Sequence, residues 1–123
     1  MTRAAAEARG RRAETIAAWW LRLHGWRILA QRVRTPVGEI DLVARRGRTV
    51  AFIEVKSRAT RAELALAIDA LRIRRVAAAA AALAARYGRP HDDIRIDVIL
   101  VAPGCWPHHM VNVWHGDGLR GRW

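Results

Sequence analysis

The spacing of apolar positions changes period several times along this chain, and each change predicts an element. Over residues 11–24, Ile16, Trp19, Trp20 and Leu23 recur at helical spacing, and Gly25 stands where a C-cap glycine ends a helix. Residues 26–33 (WRILAQRV) read as a strand, followed by a turn at Thr35-Pro36-Val37-Gly38. Two β-rich runs, residues 39–45 and 49–56, flank Arg46-Gly47-Arg48-Thr49. Glycine at the first central place suits a two-residue type II′ hairpin. A charged loop over residues 57–63 leads to a long alanine-rich helix over residues 64–87, stopped by Gly88 with Pro90 just beyond. Residues 94–102 (IRIDVILVA) predict a fourth strand and residues 108–114 a fifth. The order αβββαββ, without repeat or linker, predicts one α/β domain: a mixed sheet of about five strands flanked by two main helices.

Composition narrows the class. A chain of 123 residues, 52% hydrophobic and 27% charged, has the length and make-up of one folded domain. The expected organisation is a mobile basic arm over residues 1–10, the domain over residues 11–115 and a tail over residues 116–123. The arm resembles a targeting peptide in its arginines, yet Glu7 and Glu14 interrupt it and no apolar stretch follows. One cysteine, Cys105, leaves no internal disulfide and no cysteine zinc site, so a cytoplasmic setting is the default expectation. The net charge of +11 points to a polyanionic partner. Nucleic acid suits it better than a membrane, because the longest apolar run, residues 76–85, falls well short of the roughly 20 residues that a bilayer requires.

Charge inside the predicted hairpin is the chemical anomaly. If Gly47 and Arg48 form its turn, Asp41 faces Glu54, Glu39 faces Lys56, and alternation puts all four on one face. Opposed Cβ atoms lie about 5 Å apart, and two carboxylates that close repel by about 3 kcal/mol at an effective dielectric of 20. A divalent cation such as magnesium or manganese reverses that sign and leaves waters free to act as nucleophiles. Of 22 lysines and arginines only Lys56 is lysine, and a compact ammonium suits the orientation of water or the stabilisation of a phosphoryl transition state. Two acids and a lysine also make an ordinary surface ion-pair cluster. The setting argues otherwise, since Ile40, Leu42 and Val43 on one strand and Phe52, Ile53 and Val55 on the other make both faces of the hairpin apolar.

The stretches GEIDLVARRG and VAFIEVKSR resemble the YraN-like family of small bacterial proteins, placed in the PD-(D/E)xK nuclease superfamily and similar to archaeal Holliday junction resolvases. The resemblance spans residues 10–114. It implies a restriction-endonuclease-like fold, Asp41 and Glu54 as metal ligands, Lys56 as the catalytic lysine, and Glu14 of GRRAE as an acid completing the metal shell. The family usually carries Lys or Gln about where this chain has Arg72, while Arg75 fits its pattern. His109 also matches a family position.

Other residues are read by their surroundings. Glu14 shares a helical stripe with Ala17, Ala18 and Leu21, opposite Ile16, Trp20 and Leu23, so periodicity alone turns it to solvent. Trp19, Trp20 and Trp26 are expected in the core, and Trp106, between prolines, at the surface. His108, His109 and His115 match no zinc spacing. Arg34, Arg58, Arg72 and Arg75 are the expected nucleic-acid contacts, and Glu39 is expected to order Lys56. Together these predict a magnesium- or manganese-dependent endonuclease acting on DNA, branched DNA included, with a homodimer as the form suited to two-fold substrates. The alternative is a nucleic-acid-binding protein whose nuclease-like site is inactive.

Overall fold

A computed structural model of the chain describes residues 2–58 and 70–114, with the backbone alone at residues 70 and 71. The start predicted for the second helix, most of the 57–63 loop, His115 and the 116–123 tail lie outside the described residues. The elements are α1 (Arg3–Leu23), β1 (Arg27–Thr35), β2 (Gly38–Arg46), β3 (Thr49–Ser57), α2 (Ala70–Tyr87), β4 (Asp93–Val101) and β5 (His108–Met110). The predicted αβββαββ order is the observed one.

The first helix begins two turns earlier than its apolar period suggests. Thr2 caps it by accepting the Ala5 N–H at 3.0 Å, and alanine-rich sequence with an Arg3–Glu7 pair carries it forward. Residues 3–10 of the expected basic arm are therefore part of α1. At the other end Gly25 takes φ +87°, the Trp26 N–H reaches the Leu21 carbonyl at 2.9 Å and the Gly25 N–H reaches that of Arg22 at 3.1 Å. Those two bonds are the Schellman closure that the glycine predicted.

The five strands lie in sequence order, antiparallel throughout except for β3 and β4, which run parallel across the α2 crossover. Gly47 has φ +60° and Arg48 is not among the positive-φ residues, as a type II′ turn requires, and Arg46 pairs with Thr49 as predicted. Alternation sorts β3 between two cores. Val50 and Phe52 pack with Ile40, Val43, Val76, Ala80 and Leu83 under α2, while Ala51 and Ile53 pack with Leu42, Ala17 and Leu21 under α1. Gly38 lets β2 pass close under α2, because a Cβ there would sit 2.7 Å from the Arg75 carbonyl oxygen.

The face of α1 is the reverse of the one that its large side chains suggest. Ala13, Ala17, Ala18 and Leu21 are buried, whereas Ile16, Trp19 and Leu23 are exposed. Small alanines let the helix lie directly on the sheet, and the indole of Trp19 is left outside. Trp26 is buried as expected and Trp106 is exposed as expected, while Trp20 is half-buried. Among the described residues no helix is long and apolar enough to cross a membrane.

Candidate active site

The site forms where the regular ladder of the hairpin stops. Strands β2 and β3 pair in the predicted register from Arg46↔Thr49 to Leu42↔Ile53, and the next rung, Asp41 opposite Glu54, is missing. Instead the Asp41 carboxylate takes the place of a backbone acceptor, its Oδ2 receiving the Val55 N–H at 2.8 Å. On the other side of β2 the rung between Arg32 and Asp41 is missing too, and Arg32 lies in the left-handed region at φ +53°. Ile40 and Val43, three residues apart, consequently share the core under α2. Strict alternation would have put them on opposite faces. Asp41 therefore sits at a turnover in the strand, and Arg32 carries the backbone strain that accompanies it.

Glu54 and Lys56 keep their alternation and share the α2 side of β3. Glu54 is 1% exposed, and its Oε1 accepts from Arg72 Nε at 2.5 Å and forms an ion pair with Lys56 Nζ at 3.2 Å. A cavity of about 280 Å³ opens beside it, lined by Gly38, Glu39, Glu54, Arg72, Arg75 and Val76. Asp41 is 8% exposed. Burial first, and then the negative charge of Glu54, push its carboxyl up to about 7, with Glu14 adding to the rise. The Val55 N–H and the Arg72 charge offset only part of that.

Two expected partnerships are corrected. Glu39 does not order Lys56: with the ladder ended at Leu42, it is not held opposite, and its carboxylate pairs with Arg34 at 3.5 Å. Glu14 is not turned to solvent, because the alanine face of α1 points inward and brings it to Arg32, whose Nε donates to Glu14 Oε1 at 2.7 Å. Arg72 sits on Glu54, while Arg75 is exposed at the cavity rim. Arg34 is exposed beside Glu39, and Arg58 donates to the Ser57 carbonyl at 2.7 Å just past Lys56. Arg32 was not singled out from the sequence, and its only sequence context, an even strand-like run, carries no sign of a left-handed residue.

Among the described residues no three His, Cys, Asp or Glu side chains converge as a ready metal cage. The donors that do fit a hard divalent cation are two, Asp41 and Glu54, whose mutual repulsion such an ion would relieve. Glu14 would have to leave Arg32 to join them. His109 is occupied elsewhere, its Nε2 lying 2.8 Å from the buried Asp97, which also receives Arg95 and the Asn112 N–H. That cluster ties β5 to β4 and is a structural one.

Over residues 13–101 the sequence matches the uncharacterised protein family UPF0102. A UPF0102 protein of Sphingopyxis alaskensis is 74% identical over 114 residues, covering 93% of this chain and 98% of the relative. The chain belongs to the UPF0102 family. UPF0102 proteins of Rhizorhabdus wittichii, 64% identical over 94% of this chain and 98% of the relative, and of Caulobacter vibrioides, 46% identical over 87% and 86%, extend the likeness. The YraN-like resemblance carried by GEIDLVARRG is thus borne out at the level of the family. The UPF0102 match takes in Glu14, Asp41, Glu54, Lys56 and Arg72.

Proposed function

We propose that the protein is a magnesium- or manganese-dependent endonuclease of the PD-(D/E)xK type, acting on DNA. The observation that carries this reading is the pair of buried carboxylates, Asp41 and Glu54, set beside the chain's lone lysine, with Asp41 raised to about 7 by burial and by Glu54. Repulsion of that kind is costly in a small domain unless a cation relieves it. A bound magnesium or manganese ion would polarise the scissile phosphate and acidify water. The residues of the chain do the rest. Asp41 and Glu54 hold the cation, Lys56 meets the charge that develops on the phosphoryl oxygens, and Arg75 at the cavity rim, with Arg34 and Arg58 nearby, holds the flanking phosphates. A cytoplasmic setting accompanies that substrate.

One observation favours a second reading, a nucleic-acid-binding protein that does not cut. Lys56 and Arg72 already meet the same oxygen of Glu54, which leaves that carboxylate less in need of a metal. A panel of linear, flapped and four-way DNAs incubated with magnesium or manganese separates the two, run beside Asp41→Ala. Cleavage that needs both metal and Asp41 supports the enzyme. DNA binding without cleavage, and no rise in melting temperature on adding metal, supports the second reading.

A further inference from the structure

The outer face of α1 has no part in the site just described, yet it is built of residues that a folded chain normally hides. Trp19 is 58% exposed and Trp106, from the loop after β4, is 84% exposed. Trp20 lies 6.2 Å from the Trp106 ring and 4.1 Å from the His24 ring, measured between centroids, and Trp19 precedes it on the same helix, so aromatic surface gathers at this end of α1. Ile16 and Leu23 extend it along the helix. The strip is also basic. Arg22 stands over the Trp19 ring at 5.1 Å, and Arg11 and Arg12 are exposed about two turns before Trp19. Of the two acids of α1, Glu7 pairs with Arg3 and Glu14 turns inward to Arg32.

A groove borders this strip on the α1 side of the sheet. About 200 Å³ of space is lined by Arg9, Arg12 and Ile16 of α1 together with Ser57, Val101 and Pro103, and Ser57 faces α1 while its neighbour Lys56 faces α2. An elongated ligand lying in this groove would run between Arg9 and Arg12 and beside Ile16 of the strip.

We infer that the Trp19–Trp20–Trp106 face of α1 binds a single-stranded segment of nucleic acid, with bases stacked on the indoles and phosphates on Arg9, Arg12 and Arg22. Charge decides the occupant. A second copy of this chain would bring arginine against arginine between molecules of net charge +11, whereas a single strand brings flat apolar rings and negative charge together. Duplex DNA offers phosphates but keeps its base faces stacked, so it does not use the indoles. The inference rests on the nucleic-acid reading of the site and not on its catalysis.

The test compares binding of fluorescein-labelled oligothymidylate with that of a blunt DNA hairpin of equal length, by anisotropy in moderate salt. The proteins are the full chain and the double variant Trp19→Ala/Trp106→Ala. Both side chains are exposed, and circular dichroism melting confirms that the variant is folded. Stacking predicts that the variant loses on the order of 10-fold to 100-fold in affinity for oligothymidylate and keeps its affinity for the hairpin. Unchanged oligothymidylate binding, or an equal loss on both probes, overturns the inference. So does sedimentation of the wild type as a dimer that the double variant dissociates, since a second copy then covers the face. If the wild type binds neither probe, the nucleic-acid reading itself falls and takes this one with it. Selective loss without any metal-dependent cleavage leaves the face standing and removes only the enzyme.

Discussion

Asp41 holds its proton to a pH at which an ordinary aspartate has long been ionised, and that makes it a measurable load on the fold. Its folded pKa of about 7 lies above the ordinary 3.8, so its favourable contribution is complete below about pH 4 and is lost as pH rises through 7. The difference corresponds to a penalty on the order of 4 kcal/mol at the alkaline end. Asp41→Asn, which can still accept the Val55 N–H, should therefore melt higher than wild type at pH 8 without metal. That advantage should shrink toward pH 4. A variant that melts lower at pH 8 would mark Asp41 as an ion-pair partner and not a strained acid. Lys56 allows a second test at this scale. On the nuclease reading Lys56→Arg keeps the charge but replaces a compact ammonium with a broad fork, and it should bind DNA as before while cutting on the order of 10²-fold more slowly. Full activity in Lys56→Arg would mean that the position needs only a positive charge.

At the scale of elements the site depends on how closely β2 passes under α2. Gly38 makes this approach possible and Arg72, one turn before Val76, profits from it by reaching Glu54. Gly38→Ala drives a methyl to 2.7 Å from the Arg75 carbonyl oxygen, so the helix or the strand must move. A loss of about 1–3 kcal/mol in urea unfolding is expected. An unchanged midpoint would mean that α2 rides farther from the sheet. The β4–β5 edge is tied by different means. Burial would raise the Asp97 carboxyl, but hydrogen bonds from His109, Arg95 and the Asn112 N–H outweigh it and hold the group below the usual range. Its contribution is therefore present at neutral pH and is lost only as pH falls through that depressed value.

The molecule carries 22 lysines and arginines against 11 acids, and several of those acids are buried. Glu14, Asp41, Glu54, Asp92 and Asp97 are each met by arginine, lysine, histidine or backbone N–H groups, and the net charge of +11, which already counts them, is carried by arginine. Binding to nucleic acid should then be independent of base sequence and governed by counterion release. Affinity measured by anisotropy is expected to fall steeply between about 50 and 200 mM salt. A flat salt response would mean that the surface charge is not what holds the ligand.

Elements were legible in this sequence wherever a local rule decides them. Helix ends at Gly25 and Gly88, the hairpin turn at Gly47 and the strand periods each express backbone sterics or alternation within a few residues, so the αβββαββ order and the Leu42↔Ile53 register could be read directly. The candidate site was legible as a set of residues, because acids and a lone lysine stand out against an apolar hairpin. Its geometry was not. The inward face of α1 was misread because periodicity shows which residues share a side, and not whether alanine or tryptophan packs best on a sheet. The turnover at Asp41 is invisible locally, since it needs Arg32 on a neighbouring strand to adopt a left-handed conformation and Glu14 on a helix to hold that arginine. The same holds for Arg72 on Glu54, whose contact spans 18 residues of chain. Tertiary packing alone decided those partnerships, because a buried charge is satisfied by whatever the fold brings within reach, and sequence spacing carries no record of that distance.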